Sequence, residues 1–285
     1  MMPESHRIFR RLQSRQLPVL PPPAVHTLLA AFADDTLNWR QMAAILEHFP
    51  TIVARLISLA NSAWSAPIKK ITALEHACAR LGMGVVRSTS IALAVSAPFN
   101  PRRCPQFDVE YYWTRALAVA DTSARLAELV LDSENAQTAR TAGLLHNLGL
   151  LWMAHGLPRE TARAIQITNS DTEASLDETL SNLVGAGYRE AGGYLARRWQ
   201  LPEPIPAALE QEPDNGQRVE GWQTVVLVGL AISMVKAAES GATWPMEKNQ
   251  LFRLGIHPQA ARQVFLSVGR QLQLIQGLAA ALSSH

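Results

Sequence analysis

Apolar residues recur at helical spacing along nearly the whole chain, and this periodicity limits the folds open to it more than any other feature. The last segment shows the pattern clearly, since apolar residues three, four and seven positions apart form one stripe: Val264, Val268, Leu272, Ile275 and Leu282. No run of β-branched residues alternates with polar ones between hairpin turns. The sequence therefore predicts an all-α protein, and the stripe predicts a C-terminal helix that docks onto its own domain or, alternatively, joins two copies in a homodimer.

Prolines, glycines and polar caps divide the pattern into separate helices. Asn38 is a suitable N-cap, Pro50 can only begin a helix, and Thr72 with Glu75 has the spacing of a capping box. The proline-rich tract 98–108 has no helical period and predicts a boundary between two lobes. The helices before this tract are predicted to end near residues 33, 49, 63, 81 and 97. The later helices are predicted near 110–131, 135–154, 158–169, 173–184, 187–199, 203–211, 222–240 and 258–282.

Charge and hydropathy exclude several classes of protein. Lys and Arg number 26 against 24 Asp and Glu, which is too small an excess to attract nucleic acid or anionic lipid over the whole surface. The longest apolar run, 225–235, is shorter than the ~20 residues of a membrane span and predicts a buried core helix. No apolar stretch of signal-peptide type follows the N-terminal arginines. Two cysteines, Cys78 and Cys104, without Cys-x-x-Cys spacing favour a reducing cytoplasm.

The most suggestive chemical group is the pair His146–Asn147, predicted to lie within the helix 135–154. A histidine beside a carboxylate can share a divalent metal, but the amide of Asn147 offers only a neutral oxygen. A hydrogen-bonded core histidine is therefore the simpler interpretation. Neither a Gly-x-Ser-x-Gly elbow nor a Gly-x-x-x-x-Gly-Lys phosphate loop occurs in the sequence, and no catalytic residue is predicted.

Six segments, in this order, resemble the HDOD domain of bacterial signalling proteins. They are LPVLPPP (17–23), FPTIVARLISLANSAW (49–64), IKKITALEHACARLGMGVVRSTSIAL (68–93), WTRALAVADTSARLAE (113–128), TARTAGLLHNLGLL (138–151) and YREAGGYLARRWQLPEPIPAAL (188–209). The resemblance spans about residues 14–240 and implies a two-lobed helical fold. The implied parts are an N-terminal lobe (14–97), a linker (98–108) and an HD-like lobe (109–240), with a basic extension (1–13) and a C-terminal helical extension (241–285).

The resemblance also relates the chain to the HD metal-dependent phosphohydrolases, whose helical core presents a His, a His-Asp pair and a distal Asp to metal ions. At the corresponding positions this chain has Arg115, the His146–Asn147 pair, Tyr188, residues near Glu212–Pro213, and about Ile232. A guanidinium has no lone pair for a metal. The carboxylates of Glu190, Glu210 and Glu212 are expected on solvated faces. The resemblance thus implies a degenerate site without catalysis, metal or cofactor.

The expected role is a non-catalytic regulatory module that acts in bacterial signal transduction through contacts with other proteins. A pocket formed by Trp113, Arg115, His146, Asn147 and Tyr188 could hold a small anionic ligand, because Arg115 among neutral polar neighbours suits an anion. The same residues could instead form a structural arginine network.

Two other functions stay open at this point. One is an HD-type phosphohydrolase or cyclic-dinucleotide phosphodiesterase with an atypical ligand set. The other is nucleic-acid binding through the N-terminal arginines, which are Arg7, Arg10, Arg11 and Arg15.

Overall fold

The computed structural model describes residues 23–283 except 33–35, 63–64, 66, 131–132, 172–173 and 211–220. These residues form 15 α-helices and no β-strand, which confirms the all-α prediction. In order the helices are α1 (Pro23–Phe32), α2 (Trp39–Leu46), α3 (Pro50–Ala60), α4 (Leu74–Leu81), α5 (Met83–Ser96), α6 (Val109–Ala127), α7 (Ser133–Leu145), α8 (Leu148–Gly156), α9 (Pro158–Ser170), α10 (Leu176–Val184), α11 (Tyr188–Arg198), α12 (Pro204–Glu210), α13 (Trp222–Glu239), α14 (Lys248–Leu254) and α15 (Pro258–Ser283).

Several sequence predictions concern residues that the structure does not describe, and the predicted division of the chain is not tested by the structure. The tract 17–22, the basic extension 1–13, Arg15 and the pair Glu212–Pro213 lie outside the described residues. Within the predicted linker the chain forms a short 3₁₀ turn, Pro101–Arg103, and buries Phe99 and Phe107. The division of the chain into lobes, linker and extensions stays a prediction.

The starts of the first helices follow partly from the predicted caps. The Asn38 side chain accepts from the Gln41 amide at 3.0 Å while the Gln41 side chain accepts from the Asn38 amide at 2.9 Å, which confirms Asn38 as the cap of α2. Pro50 begins α3, also as predicted. The capping box at Thr72 is wrong, because α4 begins at Leu74 after an extended Ala73 and without a side-chain cap.

Asn61 explains why the chain stays extended before α4. Its side-chain amide donates to the carbonyl oxygens of Ile57 at 2.8 Å and Ile71 at 2.7 Å, and its oxygen accepts from the Ile71 amide at 2.8 Å. The two bonds with Ile71 join the end of α3 to the residue just before Thr72 and hold the backbone of Ile71 away from a helical turn. Asn61 is thus a structural residue of the Leu59–Ala63 run.

The prediction of one helix over 135–154 is also wrong. This segment forms two helices, α7 and α8, which meet at a turn formed by His146 and Asn147. Asn147 has φ −112° and ψ 20°, outside the helical region. The His146 ring folds back over the last turn of α7, with Nδ1 2.8 Å from the Gly143 carbonyl oxygen. The remaining predicted helices are present with ends within about four residues, and α14 is a helix that the periodicity did not predict.

Helix α6 is the centre of the packing and contacts α7, α13 and α15. Of its 19 residues, 13 are buried, and most of these are small, so neighbouring helices approach closely. The apolar run 225–235 lies within α13, which contacts α6, α7, α12 and α15. Helix α13 is long and apolar enough to cross a membrane, and so are α4 and α5 if they are taken together as one segment bent by 111°. Half of the α13 window is buried inside the fold, as in the core helix that the sequence predicts.

The C-terminal helix α15 lies along α6 and also contacts α3 and α13. The stripe residues Val268, Leu272 and Leu282 are buried in these contacts. The prediction that the stripe docks onto its own chain is therefore confirmed. The homodimer through this helix stays a prediction.

Helices α8 and α11 cross with their backbones in contact. A β-carbon on Gly149 would overlap the carbonyl oxygen of Tyr188 and lie 2.5 Å from the amide nitrogen of Gly192. Only glycine permits this approach. The crossing fixes the start of α11 beside the His146–Asn147 turn.

Gly149→Ala should therefore lower the free energy of unfolding by about 3 kcal/mol, because the added methyl forces the two helices apart. Gly229→Ala in α13 is the matched control: its β-carbon meets no atom within 4 Å, so the substitution should raise the free energy of unfolding by roughly 0.5–1 kcal/mol. Urea unfolding followed by circular dichroism measures both values. Equal stability of the two variants would contradict the close crossing.

Candidate functional site

A cavity of about 580 Å³ lies among α6, α9, α10, α11 and α13, and we call it the His146 cavity. It brings together four of the five residues predicted for the site: Arg115 from α6, His146 and Asn147 from the turn, and Tyr188 from the start of α11. Trp113 does not line it. Two residues before Arg115 on α6, Trp113 faces a different cavity of about 290 Å³ with Phe99 and Leu151, because residues two apart on a helix point in different directions.

His146 is held neutral in this cavity. It is 4% exposed, and burial, together with the charges of Arg115 and Arg189, lowers its pKa to about 3. Since the Gly143 carbonyl oxygen can only accept, Nδ1 carries the proton of the neutral ring. Nε2 is then left with a lone pair and can only accept a hydrogen bond.

Arg115 has a carboxylate partner that the sequence analysis missed. Its Nε lies 3.7 Å from Oε2 of Glu239 at the end of α13, and its guanidinium lies 5.8 Å from the centre of the Tyr111 ring. Burial raises the pKa of Glu239, and the charge of Arg115 opposes this shift. The expectation of only neutral polar neighbours was wrong. Glu239 follows Ile232 by seven residues and so shares its helix face, which is the sequence signal that could have identified it.

Arg189 and Lys236 are two further cations that line the cavity and that sequence reasoning did not single out. The Arg189 amide donates to Oδ1 of Asp177 at 2.9 Å, which fixes the first turn of α11 against α10. Arg189 directly follows Tyr188, and Lys236 lies one turn after Ile232. Because Tyr188 and Ile232 correspond to metal-ligand positions of the HD pattern, both cations could have been assigned to the cavity from the sequence.

Three buried polar atoms around the cavity make no hydrogen bond within the described part of the chain: Nε of Arg115, Nε of Arg189 and Oδ1 of Asn147. A buried polar group without a partner costs about 1–3 kcal/mol. Two of these atoms are donors on guanidinium groups and one is an acceptor. The cavity thus offers unused donors for an anion beside an acceptor for a proton-bearing group.

The residues present do not fit a metal centre of the HD type. Arg115 is a cation, Asn147 and Tyr188 carry no charge, and Ile232, which also lines the cavity, has no donor atom. Among the described residues no group of three or more His, Cys, Asp or Glu side chains could hold a metal ion. Of the carboxylates considered from the sequence, Glu210 is paired with Arg197, and Glu212 lies outside the described residues.

Comparisons with known proteins agree with this fold. A family model of the HDOD domain matches residues 17–214. A proposed signal transduction protein from Marinobacter aquaeolei VT8 is 18% identical with a TM-score of 0.80 over 98% of this chain and 66% of its own. An HDOD domain protein of unknown function from Geobacter sulfurreducens is 19% identical with a TM-score of 0.69, covering 99% and 98% of the two chains. A proposed phosphohydrolase from Shewanella amazonensis SB2B is 21% identical with a TM-score of 0.67, covering 98% and 99%.

A curated relative extends beyond the chain. An uncharacterized protein of Treponema pallidum (strain Nichols) is 23% identical over 180 residues, which are 61% of this chain and 33% of the relative. The chain therefore spans about a third of the length of that relative, and slightly less than two thirds of the Marinobacter structure. At these identities the similar structures establish the fold alone. Since the family model covers well over half of the sequence, the chain belongs to the HDOD family.

Proposed function

We propose that this chain is a non-catalytic regulatory module of a signalling pathway that acts through contacts with protein partners. The observation that carries the proposal is Arg115 in the His146 cavity, at the position where HD hydrolases have a metal-binding histidine. The likeness to a proposed signal transduction protein also supports it. Two buried free cysteines, Cys78 and Cys104, favour a place in the cytoplasm.

The charge around His146 argues against metal-assisted hydrolysis. Such hydrolysis needs a metal to polarise the phosphoryl oxygen and to lower the pKa of a bound water. Arg115 can supply positive charge but cannot activate water, since it neither coordinates a water molecule nor gives up its proton. The hydrolase alternative therefore requires a donor set that the cavity does not present.

We further propose that a small anion gates the module by binding in the His146 cavity. Glu239 lies beside Arg115, and the carboxylates of Asp108 and Asp177 accept from the Tyr111 and Arg189 amides. These two carboxylates keep their charge and are balanced by Arg189 and Lys236. The anion is therefore held by a directed hydrogen bond from the unpartnered Nε of Arg189 and not by a net positive charge. Because Nε2 of His146 and Oδ1 of Asn147 can only accept, the anion that fits best also carries a hydroxyl, as hydrogen phosphate does.

Metal content and hydrolysis test the non-catalytic proposal. Protein from cells grown with added iron, manganese and zinc, and purified without chelator, should contain less than about a tenth of a metal equivalent per chain. It should not hydrolyse bis(p-nitrophenyl) phosphate or cyclic dinucleotides when these metals are supplied. One or two equivalents that disappear in His146→Ala, together with hydrolysis, would establish the enzyme instead.

The neutral state of His146 predicts a pH dependence of stability. Because its folded pKa of about 3 lies below the usual 6.5, the unfolded chain takes up the proton first, and stability is lost as the pH falls from 6.5 towards 3. Between pH 7 and pH 5 the wild type should lose about 2 kcal/mol more free energy of unfolding than His146→Gln. Urea unfolding of both proteins at both pH values measures these losses. Subtracting the loss of His146→Gln from that of the wild type removes the contribution of the other titrating groups. Parallel losses in the two proteins would show that His146 titrates normally.

Inorganic phosphate tests the anion in the His146 cavity. Arg189→Met should weaken phosphate binding by about tenfold, because a charged hydrogen bond is lost. Arg198→Met removes an exposed arginine from the same helix and should leave binding unchanged. Titration calorimetry measures both. Equal affinity of Arg189→Met and wild type would leave the cavity arginines with a structural role only.

A further inference from the structure

A second cavity lies at the predicted linker and shares no lining residue with the His146 cavity. It is the cavity of about 290 Å³ that Trp113 faces, and we call it the Arg55 cavity. Its walls come from α3, α5, α6, α8 and α15 and from the 3₁₀ turn Pro101–Arg103. Most of the lining residues are apolar, among them Phe99, Trp113, Leu151 and Leu282.

The two charged side chains that line this cavity are both positive. Arg55 of α3 is half-buried, and Arg102 of the 3₁₀ turn is exposed. Neither guanidinium forms an ion pair or a hydrogen bond with any residue that the structure describes, and no Asp or Glu of the described chain lines the cavity. Two like charges beside one cavity with apolar walls repel each other, and an anion between them removes this repulsion.

Asn100 adds a further hydrogen-bond donor to the lining. Its side-chain oxygen accepts from the Arg102 amide at 3.2 Å, and its own amide donates to Nδ1 of His155 at 2.9 Å. The Nδ2 group of Asn100 then keeps its two N–H bonds for a ligand. The N–H groups offered to the cavity thus come from Arg55, Arg102 and Asn100, and the oxygen atoms of one anion can accept from all three.

Packing on both sides of Arg102 holds its backbone in place. Before it, the Phe99 ring stacks on Trp199 with the ring centres 6.3 Å apart. After it, the Cys104 amide donates to the Pro101 carbonyl oxygen at 3.0 Å and closes the 3₁₀ turn. Because the backbone is already fixed, a ligand has to order only the side chains, which lowers the entropy lost on binding.

We propose that the Arg55 cavity binds a small organic phosphate monoester, with the phosphate between Arg55 and Arg102 and the organic part against Trp113 and Leu151. Two guanidinium groups without a carboxylate match a dianion, and a phosphate monoester is doubly charged above about pH 6. The apolar walls match an apolar or aromatic organic group, and the volume limits the ligand to a small molecule. The ligand touches α3 and α5 as well as α6, α8 and α15, so binding stabilises the arrangement of these helices. The proposal does not rest on the function proposed above.

Titration calorimetry of the full chain with phenyl phosphate tests the proposal. The measurement uses the Arg189→Met protein, so that the His146 cavity contributes little. Phenyl phosphate should bind once per chain. Benzyl alcohol, which keeps the ring without the charge, and inorganic phosphate, which lacks the ring, should each bind at least about tenfold more weakly. Equal affinity of phenyl phosphate and either of these probes would overturn the proposal, since the site would then recognise only one half of the ligand.

Two neighbouring arginines of the 3₁₀ turn locate the binding. Both are exposed, but Arg102 lines the Arg55 cavity and Arg103 does not. In the same background, Arg102→Met should weaken phenyl phosphate binding by about tenfold, because a charged hydrogen bond is lost. Arg103→Met should weaken it by less than about twofold, because salt screens a charge that does not contact the ligand. Arg55→Met should act as Arg102→Met does. Equal weakening by the Arg102 and Arg103 variants, or by neither, would place phenyl phosphate outside the cavity and overturn the proposal, whereas the phosphate test of the His146 cavity would keep its own outcome.

Discussion

The contact between the backbones of α8 and α11 at Gly149 and Gly192 is the constraint on which the site depends. For Gly149 to reach α11, the chain has to turn at His146 and Asn147 instead of continuing the helix. That turn places the His146 ring over the end of α7, and the crossing places Tyr188 and Arg189 at the same cavity. One close approach of two backbones thus determines which side chains can meet there.

Arginine and lysine side chains supply the positive charge of the His146 cavity. In an HD hydrolase the metal supplies both charge and an activated water. Here Arg115 supplies a charge that is fixed to α6 and neutralised in part by Glu239. Burial, together with the charge of Arg115, keeps His146 neutral. In the function proposed above, this cavity binds an anion without turning it over, and binding without turnover is the property that a sensing module needs.

Helical periodicity was sufficient to predict the fold class and most of the helices, because apolar stripes report directly on burial. It missed the break at His146, because apolar residues continue on both sides of the turn. The turn instead accompanies a contact between α8 and α11, about forty residues further along the chain. The capping-box pattern at Thr72 failed for a similar reason, because Asn61 holds the neighbouring Ile71 extended. The alignment brought four site residues together. It did not include Glu239, on the same helix face as Ile232, or Arg189, directly after Tyr188, because their contacts with the cavity depend on residues distant in the sequence.

Helix α6 ties the His146 cavity to the rest of the fold. Arg115 lines the cavity from this helix, and most of α6 is buried against α7, α13 and α15. A helix packed so closely moves as a unit or not at all. An anion that shifts Arg115 therefore has to shift α6 against these three helices, and a second ligand that binds one arrangement of them better would be coupled to the anion. Any such coupling has to be reciprocal, because the binding free energies of two ligands on one protein form a closed cycle.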